Sequence, residues 1–129
     1  MSVHRVSVDG CGHEVLVQRG CENGIERDMT QWCVGIAVDV DNGEIYWAQK
    51  GGSKANEGRI FRAGIDIPEG QTADNRNDIE LLFEDLPEPI DLELDNSGDG
   101  GGVLYWTDRG EHPRGSSLNF ARVRGEEGS

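Results

Sequence analysis

Gly35-Ile-Ala-Val-Asp39 runs through a turn into Ile45-Tyr46-Trp47-Ala48, and Pro89-Ile-Asp-Leu-Glu-Leu-Asp95 runs through a second turn into Leu104-Tyr105-Trp106-Thr107-Asp108. A third element follows each pair, Arg59-Ile-Phe-Arg62-Ala-Gly-Ile-Asp66 after the first and Leu118-Asn-Phe-Ala-Arg122-Val after the second. The opening residues His4-Arg5-Val6-Ser7-Val8-Asp9-Gly10 match that third element as well. Asp39 and Asp95 are 56 residues apart, Tyr46 and Tyr105 are 59 apart, and Arg62 and Arg122 are 60 apart. A nearly constant period of this length marks a repeat architecture, in which each unit buries its apolar faces against its neighbours.

Each unit reads as strand, turn, strand, longer loop, strand, turn, strand. Residues 36–40 and 90–95 alternate apolar with small or polar side chains, the period-two pattern of a strand. Asp41-Asn42-Gly43 is a hairpin turn, because Asn and Gly take positive φ at little cost; Asp99-Gly-Gly-Gly102 fills the same place in the second unit. Glu14-Val-Leu-Val17 and Ile79-Glu-Leu-Leu-Phe83 supply fourth strands. No stretch carries a sustained helical period, and 19 glycines oppose long helices. The expected fold is all-β, about two four-stranded antiparallel blades of a propeller. Residues 3–19 form a partial blade, 34–86 a full one and 89–124 a partial one, with 125–129 a disordered tail.

Residues 3–124 resemble the YWTD (low-density lipoprotein receptor class B) repeats, on Leu104-Tyr-Trp-Thr-Asp108 as a full match and Ile45-Tyr-Trp-Ala48 as a partial one. The resemblance implies blades of a six-bladed β-propeller and a non-catalytic binding function. Tyr46, Trp47, Tyr105, Trp106, Thr107 and Asp108 are read as architectural: the aromatics pack between sheets, and Thr and Asp bond to adjacent backbone. Ala48-Gln49 stands where the first copy would carry Thr-Asp.

The strand inventory is two, then four, then three. Three two-bladed chains would close a six-bladed ring with eight strands each, so a homotrimer is an alternative that the ninth strand opposes. The expectation is a segment of a longer propeller, partnered by its remaining blades or by another protein, since repeat arrays need neighbours and caps.

The chain carries 25 acidic against 12 basic residues, a formal charge of −13. That disfavours nucleic acid, whose phosphates require basic surfaces, and anionic membrane, and it favours cations or basic partners. No apolar run is long enough to span a bilayer. Met1-Ser-Val-His-Arg5 shows no secretory leader, and three cysteines lack the pairing density of secreted modules. The expected location is cytoplasmic, or extracellular if the N-terminus is truncated.

Asp95-Asn-Ser97-Gly-Asp99-Gly100 matches the first half of a calcium loop, with Asp95, Ser97 and Asp99 as oxygen ligands, but Trp106 stands where the closing acid belongs. A glycine-rich turn is the simpler reading. Cys11, His13, Cys21 and Cys33, with His4, do not have the spacing of a zinc site. The long loops 49–58, 68–78 and 109–117 are the expected contact surface. The alternative function is a metal-dependent lactonase or esterase, in which Asp39, Glu93, Asp95 and Asn96 would hold a divalent ion that polarises a carbonyl.

Overall fold

A computed structural model describes residues 2–18, 33–50, 56–97, 102–110 and 115–123. Nine strands run through them: β1 (Ser2–Arg5), β2 (Glu14–Gln18), β3 (Cys33–Asp39), β4 (Glu44–Gln49), β5 (Gly58–Gly64), β6 (Glu80–Leu86), β7 (Pro89–Asp95), β8 (Val103–Asp108) and β9 (Ser117–Arg122). They form three antiparallel sheets in chain order: β1-β2, β3-β4-β5-β6 and β7-β8-β9. The described residues contain no helix, hence none long and apolar enough to cross a membrane. The fold is all-β, built of propeller-type blades with no closed barrel.

Every sheet is a meander because each connection joins neighbouring antiparallel strands. The β3–β4 pair closes at Asp41-Asn42-Gly43, where Gly43 takes φ 68° and so supplies the positive φ a tight hairpin needs.

Each face of the middle sheet packs against a neighbouring sheet. On one side Ile45, Trp47 and Ala63 bury against Val3, Leu16 and Val17 of the first sheet. On the other, Tyr46, Ala48 and Ile60 bury against Leu92, Leu104 and Trp106 of the third. Strand side chains alternate between faces, so adjacent residues of β4 serve opposite neighbours. Trp47 points back to the preceding sheet and Tyr46 forward to the following one, and both are essentially sealed from solvent. This double burial is why β4 reads as an unbroken apolar run, not as an alternating one.

β3 of the middle sheet lies close against β7 of the third. A methyl group on Gly35 would collide with the Ile90 carbonyl oxygen. Glycine at this position therefore sets the spacing of the seam.

Arg76 joins the first two sheets. It lies in the 68–78 loop, expected from its polarity to be contact surface, yet it is 2 % exposed. Its guanidinium donates to the carbonyls of Leu16 at 2.8 Å and Gly64 at 2.7 Å, and to both oxygens of Asp78 at 2.6 and 2.7 Å. A buried cation persists only with such a full set of acceptors. At Arg76 the loop is thus an internal clamp, which corrects the surface reading there.

Candidate interaction surface

The repeated aromatic pair occupies two different environments. In the first copy, the Trp47 indole N–H donates to the Gln49 side chain at 2.9 Å, and both residues are buried. In the second copy, Asp108 stands in the place of Gln49, and its Oδ1 is turned to the backbone N–H groups of Glu88 at 3.0 Å and Gly110 at 2.8 Å. The buried Nε1 of Trp106 is left without a hydrogen-bond partner, and its ring packs on Phe83 with centroids 5.1 Å apart. The Thr107 hydroxyl accepts from the Asp91 N–H at 3.3 Å.

Tyr46 is fully buried in the second seam. Arg62 of β5 donates to its hydroxyl at 3.3 Å, to the Val123 carbonyl of the third sheet at 2.8 Å, and to Glu80 at 2.8 Å. Tyr105, its counterpart, lies on the far face of the third sheet and is 36 % exposed. Cross-strand pairing sets it beside Glu93 on β7 and Phe120 on β9, with the two aromatic rings 5.9 Å apart. Leu118 and Phe120 are each 71 % exposed. Asp91, Glu93, Tyr105, Thr107 and Leu118 line a shallow pocket of about 80 Å³ on this face. An aromatic and aliphatic strip bordered by two carboxylates is thus open to solvent.

The candidate metal residues do not converge. Asp95 accepts from both the backbone N–H and the hydroxyl of Ser97, at 2.8 and 2.6 Å, and these bonds, the hydroxyl first, hold its carboxyl below the ordinary carboxylate range. Asp99 lies outside the described residues, as does Cys21. Asp39 and Asn96 do meet, the Asn96 amide donating to Asp39 at 2.9 Å. The Asp39 carboxylate is fully buried and also accepts from the backbone and side chain of Asn42. Its oxygens thus face amide donors, which serve a fixed carboxylate in place of a cation. His4 and His13 come within 2.8 Å. Burial pushes the Cys33 thiol up, away from the thiolate a metal needs. Among the described residues no three His, Cys, Asp or Glu side chains gather as a metal-binding group.

With 46 % identity over 130 residues, the chain is similar to a protein of Pyricularia oryzae named low-density lipoprotein receptor-related protein 1; the match takes in 99 % of this chain and 40 % of that protein. It is also 46 % identical over 124 residues to the 3-hydroxyacyl-CoA dehydrogenase-like protein LAM1 of Cochliobolus heterostrophus, across 95 % of this chain and 26 % of that one. The chain therefore spans well under half the length of the curated relatives it matches. No protein-family model matches it, and no solved structure matches it significantly.

Proposed function

We propose that this chain is a non-catalytic module of YWTD-type propeller blades that binds a protein partner or ligand through its loops and the open face of its third sheet. The observation that carries this is the aromatic strip of Tyr105, Leu118 and Phe120. Register places Tyr105 and Leu118 at the positions of Tyr46 and Ile60, which bury against a neighbouring sheet, but here the strip faces solvent. Exposed apolar patches rimmed by polar groups mark interaction sites. Asp91 and Glu93 beside the strip, and the overall charge of −13, favour partners with basic groups. The name of the Pyricularia relative agrees with a receptor-type binding repeat.

A metal-dependent lactonase is the second reading, favoured by the meeting of Asp39 and Asn96 from different sheets. Binding of a peptide array graded in charge and hydrophobicity, run beside hydrolysis of γ-lactones and aryl esters with added Ca²⁺, Mg²⁺ or Zn²⁺, separates the two. The binding module gives saturable binding to basic, apolar peptides that falls in Tyr105→Ala and Phe120→Ala, with no metal-dependent turnover. Turnover abolished by Asp39→Asn would replace it with the enzyme.

A further inference from the structure

The first hairpin sets two imidazoles on one face because its register slips. β1 and β2 pair Val3 with Val17 but His4 with Val15, so the ladder shifts by one residue between them. A one-residue shift moves the side chains that follow to the other face, and bulges of this kind re-aim side chains. Beyond the shift Arg5 pairs with Glu14, and His13, one residue further back, becomes the same-face diagonal neighbour of His4. Diagonal neighbours are within reach of long side chains. His4 Nδ1 and His13 Nε2 meet at 2.8 Å, with the ring planes within 2° of parallel, and both residues are exposed. Arg5, on the alternate face, bonds Glu14 and Asp66, so its charge is already met.

The other ring nitrogen of His4, Nε2, lies 2.8 Å from the Ser2 hydroxyl. A hydroxyl both donates and accepts, so Ser2 serves His4 in either tautomer. When Nε2–H donates to Ser2 Oγ, the Nδ1 lone pair is left for His13 or for a cation. Such an outer partner is the regular companion of a metal-ligating histidine. Two nitrogens about 2.0–2.1 Å from one ion are about 2.9 Å apart at a right angle and about 3.3 Å apart at the tetrahedral angle. The observed 2.8 Å lies nearer the right angle, the geometry of Cu²⁺ and Ni²⁺ with nitrogen and oxygen ligands. Both rings are exposed, so each can turn its lone pair toward one ion between them. We infer that His4 and His13 form a two-imidazole chelate for a late divalent transition-metal ion, Cu²⁺ or Ni²⁺ ahead of Zn²⁺, with water in the remaining positions. Cys11 does not join them in a three-ligand group. The formal charge of −13 draws cations to the surface. The bound ion ties β1 to the residue that enters β2.

Ni²⁺, which does not oxidise the cysteines, is the probe. Titrated into the whole chain and followed by calorimetry and by paramagnetic broadening of amide signals, it is expected to bind one ion per chain and to broaden His4 and His13 first. His4→Ala and His13→Ala, both at exposed positions, are each expected to weaken binding at least about tenfold. The double variant is expected to lose little more than either single one, because a chelate fails when either ligand goes. Ser2→Ala, which keeps both ligands, is expected to weaken binding by less than either histidine variant. Amide spectra of the metal-free variants, superimposable outside the hairpin, establish that the fold is intact. Binding that survives both single substitutions, losses that add in the double variant, tighter binding of Zn²⁺ than of Ni²⁺, or broadening centred on the third histidine, His112, would each overturn the inference.

Discussion

The Asn96 side chain, at the end of β7, donates across the seam to the buried carboxylate of Asp39, at the end of β3, at 2.9 Å. The same amide accepts from the Gly102 N–H at 2.9 Å, so one side chain ties the third sheet to the middle one and closes its own hairpin. Asn96→Ala is expected to destabilise the fold by about 1–2 kcal/mol, and Asp39→Ala by more, because it removes the acceptor of three part-buried hydrogen bonds. Urea unfolding monitored by tryptophan fluorescence measures both, and an Asp39→Ala variant as stable as the parent would refute this role.

Gly35 sets how closely β3 approaches β7. Gly35→Val is expected to cost about 3 kcal/mol or more through backbone displacement. Gly43→Ala, in a turn with open space around it but φ 68°, is expected to cost only about 1 kcal/mol. Thermal melting of the two variants compares a packing restraint with a conformational one.

The two tryptophans are expected to respond differently to loss of the indole N–H. Trp47→Phe leaves the buried Gln49 carbonyl without that donor, whereas Trp106→Phe removes a group that has no acceptor. The hydrogen-bond part of the loss should therefore be larger at Trp47 by about 1 kcal/mol, measured against Trp→Leu variants that remove the ring as well.

Arg76 lowers the pKa of Asp78, chiefly through their direct hydrogen bonds, with a further contribution from the Gly64 N–H. The folded-state pKa lies below the ordinary value of 3.8. The corresponding stability is fully present above that value and is lost as pH falls through the lower, folded-state pKa. Unfolding midpoints taken from about pH 6 to about pH 2 are expected to fall in this acid window, and less steeply in Asp78→Asn. Arg76→Met should in addition speed hydrogen exchange in β2, whose Leu16 carbonyl it binds.

The repeat made the strands of the second and third sheets legible, because β3–β4 and β7–β8 each join a period-two run to an aromatic pair through a turn. The architectural part of the site was visible in composition, but not its direction. That Tyr46 faces one sheet and Trp47 the other follows from register, which local sequence does not display. Arg76 escaped because its acceptors at Leu16 and Gly64 are distant in the chain, and Asn-Arg-Asn looks like any polar loop. The contrast of Gly35 and Ala37 with Asp91 and Glu93 was already present in the aligned repeats. It acquires meaning only once the first pair is seen facing the third sheet and the second facing solvent.

The stacking of three sheets, with consecutive β4 residues serving opposite neighbours, is tested most directly by nuclear Overhauser contacts from two rings. The Trp47 ring is predicted to show contacts to the first-sheet cluster that includes Val17, and the Tyr46 ring to the third-sheet cluster that includes Leu104. Contacts from both rings to the same sheet, or from neither ring to another sheet, would contradict the stacked arrangement.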